Sequence, residues 1–256
     1  MKRTAIVMRA SLVIVIVLAG SCYRKLQAQP STAAVATPEQ DFFEAMKKGD
    51  SMLVEELLKK QPSLIKATYR NGITPVLFAV YANHKEIAEL LISKFAVRPN
   101  IFESAATGRI QRVRELLKKD PSLVHAWSAD GWTALHLNFN NLEMAKLLID
   151  AGADLNLNSR HKLNATPLQG AAANNWIDLA KLYISRGANV NCRSEEGISP
   201  LAEAAANGFL DFAKLLIENG ANVNQKDDKG KTPLAYAREY NHPEIAQLLR
   251  DHGAVQ

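Results

Sequence analysis

The sequence predicts an all-α repeat solenoid, a stack of helix–turn–helix units, and three observations carry that prediction. Helix-start residues Thr133, Thr166, Ser199 and Thr232 recur at steps of 33 residues. A turn glycine stands two positions before three of them, at Gly131, Gly197 and Gly230, and Asn164 takes its place once. A closing signature ends successive units at Gly152-Ala-Asp-Leu-Asn156, Gly187-Ala-Asn-Val-Asn191 and Gly220-Ala-Asn-Val-Asn224. Self-similarity at a fixed period of this size marks one supersecondary unit repeated, each unable to bury its apolar face alone.

Each part of the unit has a mechanical reason. The Thr or Ser side chain accepts a hydrogen bond from an orphan backbone N–H and caps the first helix. Proline follows at Pro75, Pro167, Pro200 and Pro233, the first helical position, where its missing N–H removes nothing. Paired apolar residues such as Leu90-Leu91, Leu147-Leu148 and Leu215-Leu216 give the second helix its buried stripe. The glycine after it permits a left-handed helix exit, and Asn164 fits a left-handed turn position nearly as well as glycine.

In chain order, residues 1–28 read as a secretory signal. Lys2, Arg3 and Arg9 form its basic start, and residues 11–20 are almost wholly apolar. That run is too short for a bilayer span, which needs about 20 residues. Two ends of the signal stay open. One is a cut after Ala28. The other is lipidation at Cys22, because residues 19–22, Ala-Gly-Ser-Cys, resemble a bacterial lipoprotein box, although Ala19 stands where that box prefers Leu, Val or Ile. Residues 29–38, with two prolines among small polar residues, read as a linker.

Seven repeats follow, at 39–67, 68–98, 99–127, 128–156, 157–191, 192–224 and 225–256. The first lacks the Thr-Pro start, as terminal repeats do. The third lacks Gly-x-Thr-Pro and echoes the first: residues 113–126 match residues 54–67 at an offset of 59. In the fourth, the second helix arrives two residues early, and the loop after it is two residues longer, so the period survives. The last three are regular. Cys192 is left without a disulfide partner once Cys22 is lipidated or removed.

The pattern Gly-x-Thr-Pro-Leu, the Leu-Leu pair and the closing Gly-Ala-Asn-Val-Asn resemble the ankyrin repeat family over residues 39–256. That resemblance implies stacked ankyrin helix–turn–helix repeats joined by β-hairpin fingers, with partner binding at finger tips and at exposed positions of the first helices. Carried onto this chain, it selects Arg70 and Ile73 in one finger, Trp132 in the next, Leu163 in the elongated one, Glu195 and Ile198, then Lys231. On first helices it selects Tyr81, Asn140, Asn174 and Tyr240. Trp132 and Tyr81 are the strongest candidates, since aromatics at exposed positions anchor interfaces; packing between fingers is the competing role for each.

Composition narrows the function. The formal charge of +5 belongs to residues 1–28, which hold Lys2, Arg3, Arg9, Arg24 and Lys25 and no acid. The remaining chain balances 26 basic against 26 acidic residues. A nucleic-acid footprint needs a clustered basic stripe, and none is present. The six histidines are scattered and His161 is isolated; for His136 the ankyrin resemblance implies the first-helix position used for structural hydrogen bonds. No catalytic set, metal-ligand spacing or phosphate loop emerges, and the pairs Glu195-Glu196 and Asp227-Asp228 read as solvated turn residues. The expected function is a non-catalytic scaffold of the bacterial envelope, exported to the periplasm or anchored facing it, monomeric, without cofactor. It would bind a protein partner and touch the membrane only through the signal or a lipid at Cys22. The alternatives are an exported effector acting on a host protein, and a small-molecule receptor or enzyme built on the same scaffold.

Overall fold

The structure, a computed structural model, describes residues 37–255. The signal segment, Cys22 and residues 29–36 of the linker lie outside the described residues. Among the described residues thirteen α-helices build the array: α1 (Pro38–Lys48) and α2 (Ser51–Lys60), α3 (Pro75–Tyr81) and α4 (Lys85–Ser93), α5 (Ile101–Ala106) and α6 (Ile110–Lys119), α7 (Leu142–Asp150), α8 (Pro167–Ala173) and α9 (Ile177–Ser185), α10 (Pro200–Asn207) and α11 (Leu210–Glu218), α12 (Pro233–Glu239) and α13 (Pro243–Asp251). First helices pack on first helices and second on second along the stack.

The predicted caps are in place. Thr74, Thr166, Ser199 and Thr232 accept from the backbone N–H of Leu77, Gln169, Ala202 and Ala235. The first repeat, expected to lack a Thr-Pro start, has one inside the expected linker: Thr37 accepts from Gln40 N–H and Pro38 opens α1. In the third repeat, where Thr-Pro is missing, α5 starts with a reciprocal box between Asn100 and Glu103. Before the second helix of every repeat stands one left-handed residue: Gly49, Asn83, Gly108, Asn140, Asn175, Gly208 and Asn241. At two of these the next repeat requires glycine. A Cβ at Gly49 would lie 2.5 Å from the His84 ring, and one at Gly208 2.6 Å from that of His242. The two rings meet the carbonyls of Lys47 and Ala206, each at 3.2 Å through Nε2.

The fourth repeat has lost its first helix. Thr133 is followed by a single turn, residues 134–137, and then by irregular chain up to α7. Two residues fewer leave no length for a second turn, and Ala134 replaces the proline that pre-sets the helix. His136 holds this turn. Its Nε2 lies 3.0 Å from the Ala165 carbonyl, which can only accept, so Nε2 carries the proton and Nδ1 accepts from the Thr133 hydroxyl at 2.8 Å. Burial holds the imidazole down at about 4, against the carbonyls of Ala165 and Leu157 that would raise it.

The fingers are tighter than hairpins. Each is closed by a backbone bond across its turn: Tyr69 N–H to Ile73 O at 2.8 Å, Ser128 to Trp132 at 2.8 Å, Ser159 to Ala165 at 2.9 Å, Ser194 to Ile198 at 3.1 Å and Asp227 to Lys231 at 2.9 Å. Among the described residues no strand forms, and the pair Tyr69–Ile73 is an isolated bridge. Asn164 takes the left-handed conformation expected of it, with φ 47°.

Two hydrophobic clusters fill the stack. One spans repeats one and two around Phe42, Phe43, Phe78 and Leu91, and it takes in Trp132 and Leu137 from the fourth repeat. The other runs from Ile101 to Leu249 and is rich in alanine: Ala171, Ala172, Ala204, Ala205 and Ala237 let helices approach closely. The second cluster is reinforced by an asparagine ladder. Asn156 Nδ2 donates to Gly187 O at 3.1 Å and its Oδ1 accepts from Asn189 N–H at 2.7 Å. Asn191 repeats this with Gly220 and Asn222 at 3.2 and 2.8 Å, and Asn224 with Gly253 and Val255 at 3.0 and 2.8 Å. The truncated signature at the C-terminus is thus long enough to close the last rung.

Candidate protein-binding surface

From the fourth to the seventh, the finger tips line up in one row because backbone bonds join neighbours. Arg160 N–H donates to Gly131 O at 2.9 Å, Glu195 to Leu163 at 3.0 Å and Asp228 to Glu196 at 3.1 Å. A Cβ at Gly131 would come within 2.6 Å of the His161 backbone nitrogen, so glycine is what lets the fifth finger close on the fourth. The third repeat contributes no finger. The second finger therefore sits directly beside the fourth, with Gly72 facing the Ala129 methyl closely enough that a Cβ would reach 2.9 Å. Tyr81 bridges the two repeats by donating its hydroxyl to Asp130 Oδ2 at 2.9 Å.

The expected contact residues divide into three groups. Arg70, Glu195 and Tyr240 are exposed, as surface residues must be, and Tyr81, Ile198 and Lys231 are half-buried. Lys231 is ion-paired to Glu239 at 2.5 Å, and Asn174 turns its amide back to the Gly170 carbonyl at 2.9 Å at the end of α8. Leu163, half-buried, packs against the N-terminal cluster. Trp132 and Ile73 are corrected outright: both are core residues, 2% and 4% exposed. Trp132 leaves the surface because no third finger fills the space beside it, and its indole stacks on His161 at 4.7 Å between ring centroids. Ile73 is the closing residue of its turn, which points inward. Asn140 is exposed but is not on a first helix, because that helix is absent; it occupies the left-handed position before α7.

Other expectations also change. His161 is not isolated: it is half-buried against Trp132, and burial holds its imidazole below the ordinary value despite the pull of Asp130 and with Lys162 adding to the lowering. Asp227 is a buried turn acceptor rather than a solvated acid, receiving Lys229 N–H at 2.9 Å, Lys231 N–H at 2.7 Å and the Tyr236 hydroxyl at 2.6 Å. Burial alone would raise its carboxyl; these hydrogen bonds outweigh that and hold it below the usual range. Burial pushes the Cys192 thiol up to about 11, with Thr166 Oγ1 3.2 Å away.

A cleft of about 550 Å³ opens between the second, fourth and fifth finger tips. Arg70, Trp127, Asp130, Arg160 and Lys162 line it. The Arg160 guanidinium lies 4.4 Å from the Trp127 ring centroid, and that of Arg70 5.9 Å from Tyr69. The sequence pattern does not single out Tyr69, Trp127 or Arg160. Aligning the tips by register does: Arg70, Ala129, Arg160, Glu195 and Asp228 each follow the first residue of a finger, and the charge changes sign along that row. Among the groups with displaced pKa values, Asp227, Tyr236 and Lys231 meet at the seventh finger, where Tyr236 donates to Asp227 at 2.6 Å and the Lys231 ammonium lies 5.3 Å from the Tyr236 ring centroid; the others lie apart. His136, Tyr183 and Glu203 each have their own partner, at Thr133, Asn138 and Asn207. Among the described residues no group of three His, Cys, Asp or Glu could hold a metal ion.

Comparison with known proteins agrees with this geometry. The sequence profile described as "Ankyrin repeats (3 copies)" matches residues 42–159, 101–194 and 168–256. The mouse protein named Ankyrin repeat and SAM domain-containing protein 6 is 34% identical over 128 residues, 50% of this chain and 12% of that protein. Alpha-latrocrustotoxin-Lt1a of Latrodectus tredecimguttatus is 30% identical over 134 residues, 49% of this chain and 10% of its own length. Serine/threonine-protein kinase VIK of Arabidopsis thaliana is 40% identical over 74 residues, 27% of this chain and 16% of the kinase. The chain therefore spans a small fraction of each of these relatives. With the profile matching nearly all of the described residues, from the first repeat to the last, the chain belongs to the ankyrin-repeat family.

Proposed function

We propose that this chain is a non-catalytic protein-binding scaffold of the bacterial cell envelope, exported as a single copy and recognising one partner protein. The observation that carries this reading is the row from the fourth finger to the seventh, joined tip to tip by backbone hydrogen bonds. That row is a rigid, extended frame presenting side chains from several repeats at fixed spacing, which is what recognition of a large surface needs. The signal-like residues 1–28 support export, and either Cys22 or the new terminus after Ala28 would define the mature chain.

Photo-crosslinking side chains placed at Tyr81, Asn174 and Tyr240 in the full chain test the binding reading. The expected result is a crosslink from these positions to one protein of the envelope fraction, and none from Lys118 or Lys146, which are exposed on second helices. Equal yields from both sets of positions would sink it. Mass measurement of the mature N-terminus, together with fractionation, separates lipidation at Cys22 from cleavage after Ala28, and a cytoplasmic uncleaved chain would remove the export proposal.

A further inference from the structure

We propose that the cleft between the second, fourth and fifth finger tips binds an acidic, extended segment of a partner protein through Arg70, Arg160 and Lys162. This rests on the scaffold reading above and names the chemistry of the partner.

The argument is charge pairing along the finger row. In the sixth and seventh fingers the cations are matched: Arg193 pairs with Asp228 at 2.6 Å, Lys229 with Glu196 at 3.4 Å and Lys231 with Glu239 at 2.5 Å. Arg70, Arg160 and Lys162 have no such ion pair among the described residues. Arg160 lies against Trp127 at 4.4 Å, and Arg70 lies 5.9 Å from the Tyr69 centroid, at the outer limit of such a contact. A guanidinium stacked on a ring keeps its in-plane N–H donors for a carboxylate. Asp130, the carboxylate that lines the cleft, is already engaged, accepting from Tyr81 at 2.9 Å and from the Ser128 hydroxyl at 2.7 Å. His161 adds no charge at neutral pH, because burial lowers its pKa.

Size and surroundings favour a peptide over other anions. Three cations around about 550 Å³ match two or three carboxylates on an extended chain. A nucleic-acid site would need a longer basic stripe, and the described chain is charge-balanced. A lipid surface would need apolar groups beside the cations, yet the exposed large apolar residues Met52, Leu53, Leu142, Tyr240 and Val255 lie elsewhere. The row also turns acidic at Glu195, so an acidic segment is confined to the N-terminal end of the fingers.

Fluorescence anisotropy of a labelled oligoglutamate peptide with the full chain tests this. Binding is expected at low salt and is expected to weaken as salt rises. Arg160→Ala and Lys162→Ala should each weaken it by about tenfold, the scale of one charge-assisted hydrogen bond. Arg186→Ala, which breaks a remote pair with Asp150, should leave it unchanged; circular dichroism of each variant confirms the fold. No oligoglutamate binding, or binding that ignores the cleft variants, overturns the proposal. So does equal or tighter binding of single-stranded DNA or phosphatidylglycerol vesicles with the same dependence on Arg160, which would make the cleft a phosphate site. If crosslinks from Asn174 and Tyr240 still capture a partner while oligoglutamate fails, the scaffold reading stands and only the cleft proposal falls.

Discussion

The two ends of the stack solve the same packing problem with different materials. Repeats one and two are held by a cluster of aromatic rings, in which Phe43 contacts Phe42, Tyr69 and Phe78 edge-on at centroid distances of 5.0 to 5.4 Å. Repeats five to seven hold together through small residues and the asparagine ladder. The difference teaches what regularity is for. A ladder of the kind made by Asn156, Asn191 and Asn224 needs the same closing loop in each repeat, because each rung pairs one asparagine with two backbone groups of the next closing loop; the finger between can lengthen, as it does between Asn156 and Gly187. Aromatic packing needs only volume, so it tolerates a missing finger beside it and the 3₁₀ turn at Pro62–Lys66. The join between the two materials is the fourth repeat, where Trp132 belongs to the aromatic cluster while Leu135 belongs to the other.

The largest expected effect strikes that join. Trp132→Ala should destabilise the protein by about 3–5 kcal/mol, the usual cost of emptying a buried aromatic site. It should also split urea unfolding into two transitions, because the indole ties the second finger's cluster to the fourth repeat. A single transition with an unchanged slope would show that the halves are coupled by other contacts.

Next in size is acid. His136 is neutral in the folded state down to about pH 4, whereas in the unfolded chain it titrates near its ordinary 6.5. Between those values the unfolded chain binds the extra proton. Stability from this group is therefore full above about pH 6.5 and is lost as pH falls toward 4, by about 3 kcal/mol in all. Thermal melts from pH 7 to pH 4.5 should fall more steeply for the parent than for His136→Gln, whose amide can still donate to Ala165. Identical slopes would mean that other groups govern the acid limb.

The smallest effect sharpens the contrast from the regular side. Asn191→Ala removes two hydrogen bonds to the next repeat and should cost about 1–2 kcal/mol. Hydrogen exchange should rise in the sixth and seventh repeats and stay unchanged near Phe43. Protection lost equally along the stack would mean that the ladder carries no regional load.

Much of this was legible in the sequence, for a physical reason: caps, prolines and turn glycines act on backbone within a few residues of themselves. The period and the positions of Thr166 and Asn164 followed from that; the structural role of His136 was implied by the resemblance to the ankyrin family. What escaped depends on neighbours. The fate of Trp132 was decided by the finger that the third repeat lacks. The two-residue gap in the fourth repeat was visible as spacing, but not which helix would give way. The asparagine ladder joins residues about one repeat apart, and Arg160 gains meaning only when finger tips are compared side by side.

The contacts of His84 with Gly49 and of His242 with Gly208 have one more consequence. Repeats in such an array look interchangeable, yet each of these histidines accepts only a predecessor with no side chain at its inter-helix turn. Were the seventh repeat moved behind the fifth, its imidazole would meet the Cβ of Asn175. The stack therefore carries an address system: the second and seventh units are keyed to the first and sixth, and the order of the chain is written into the shape of its joints.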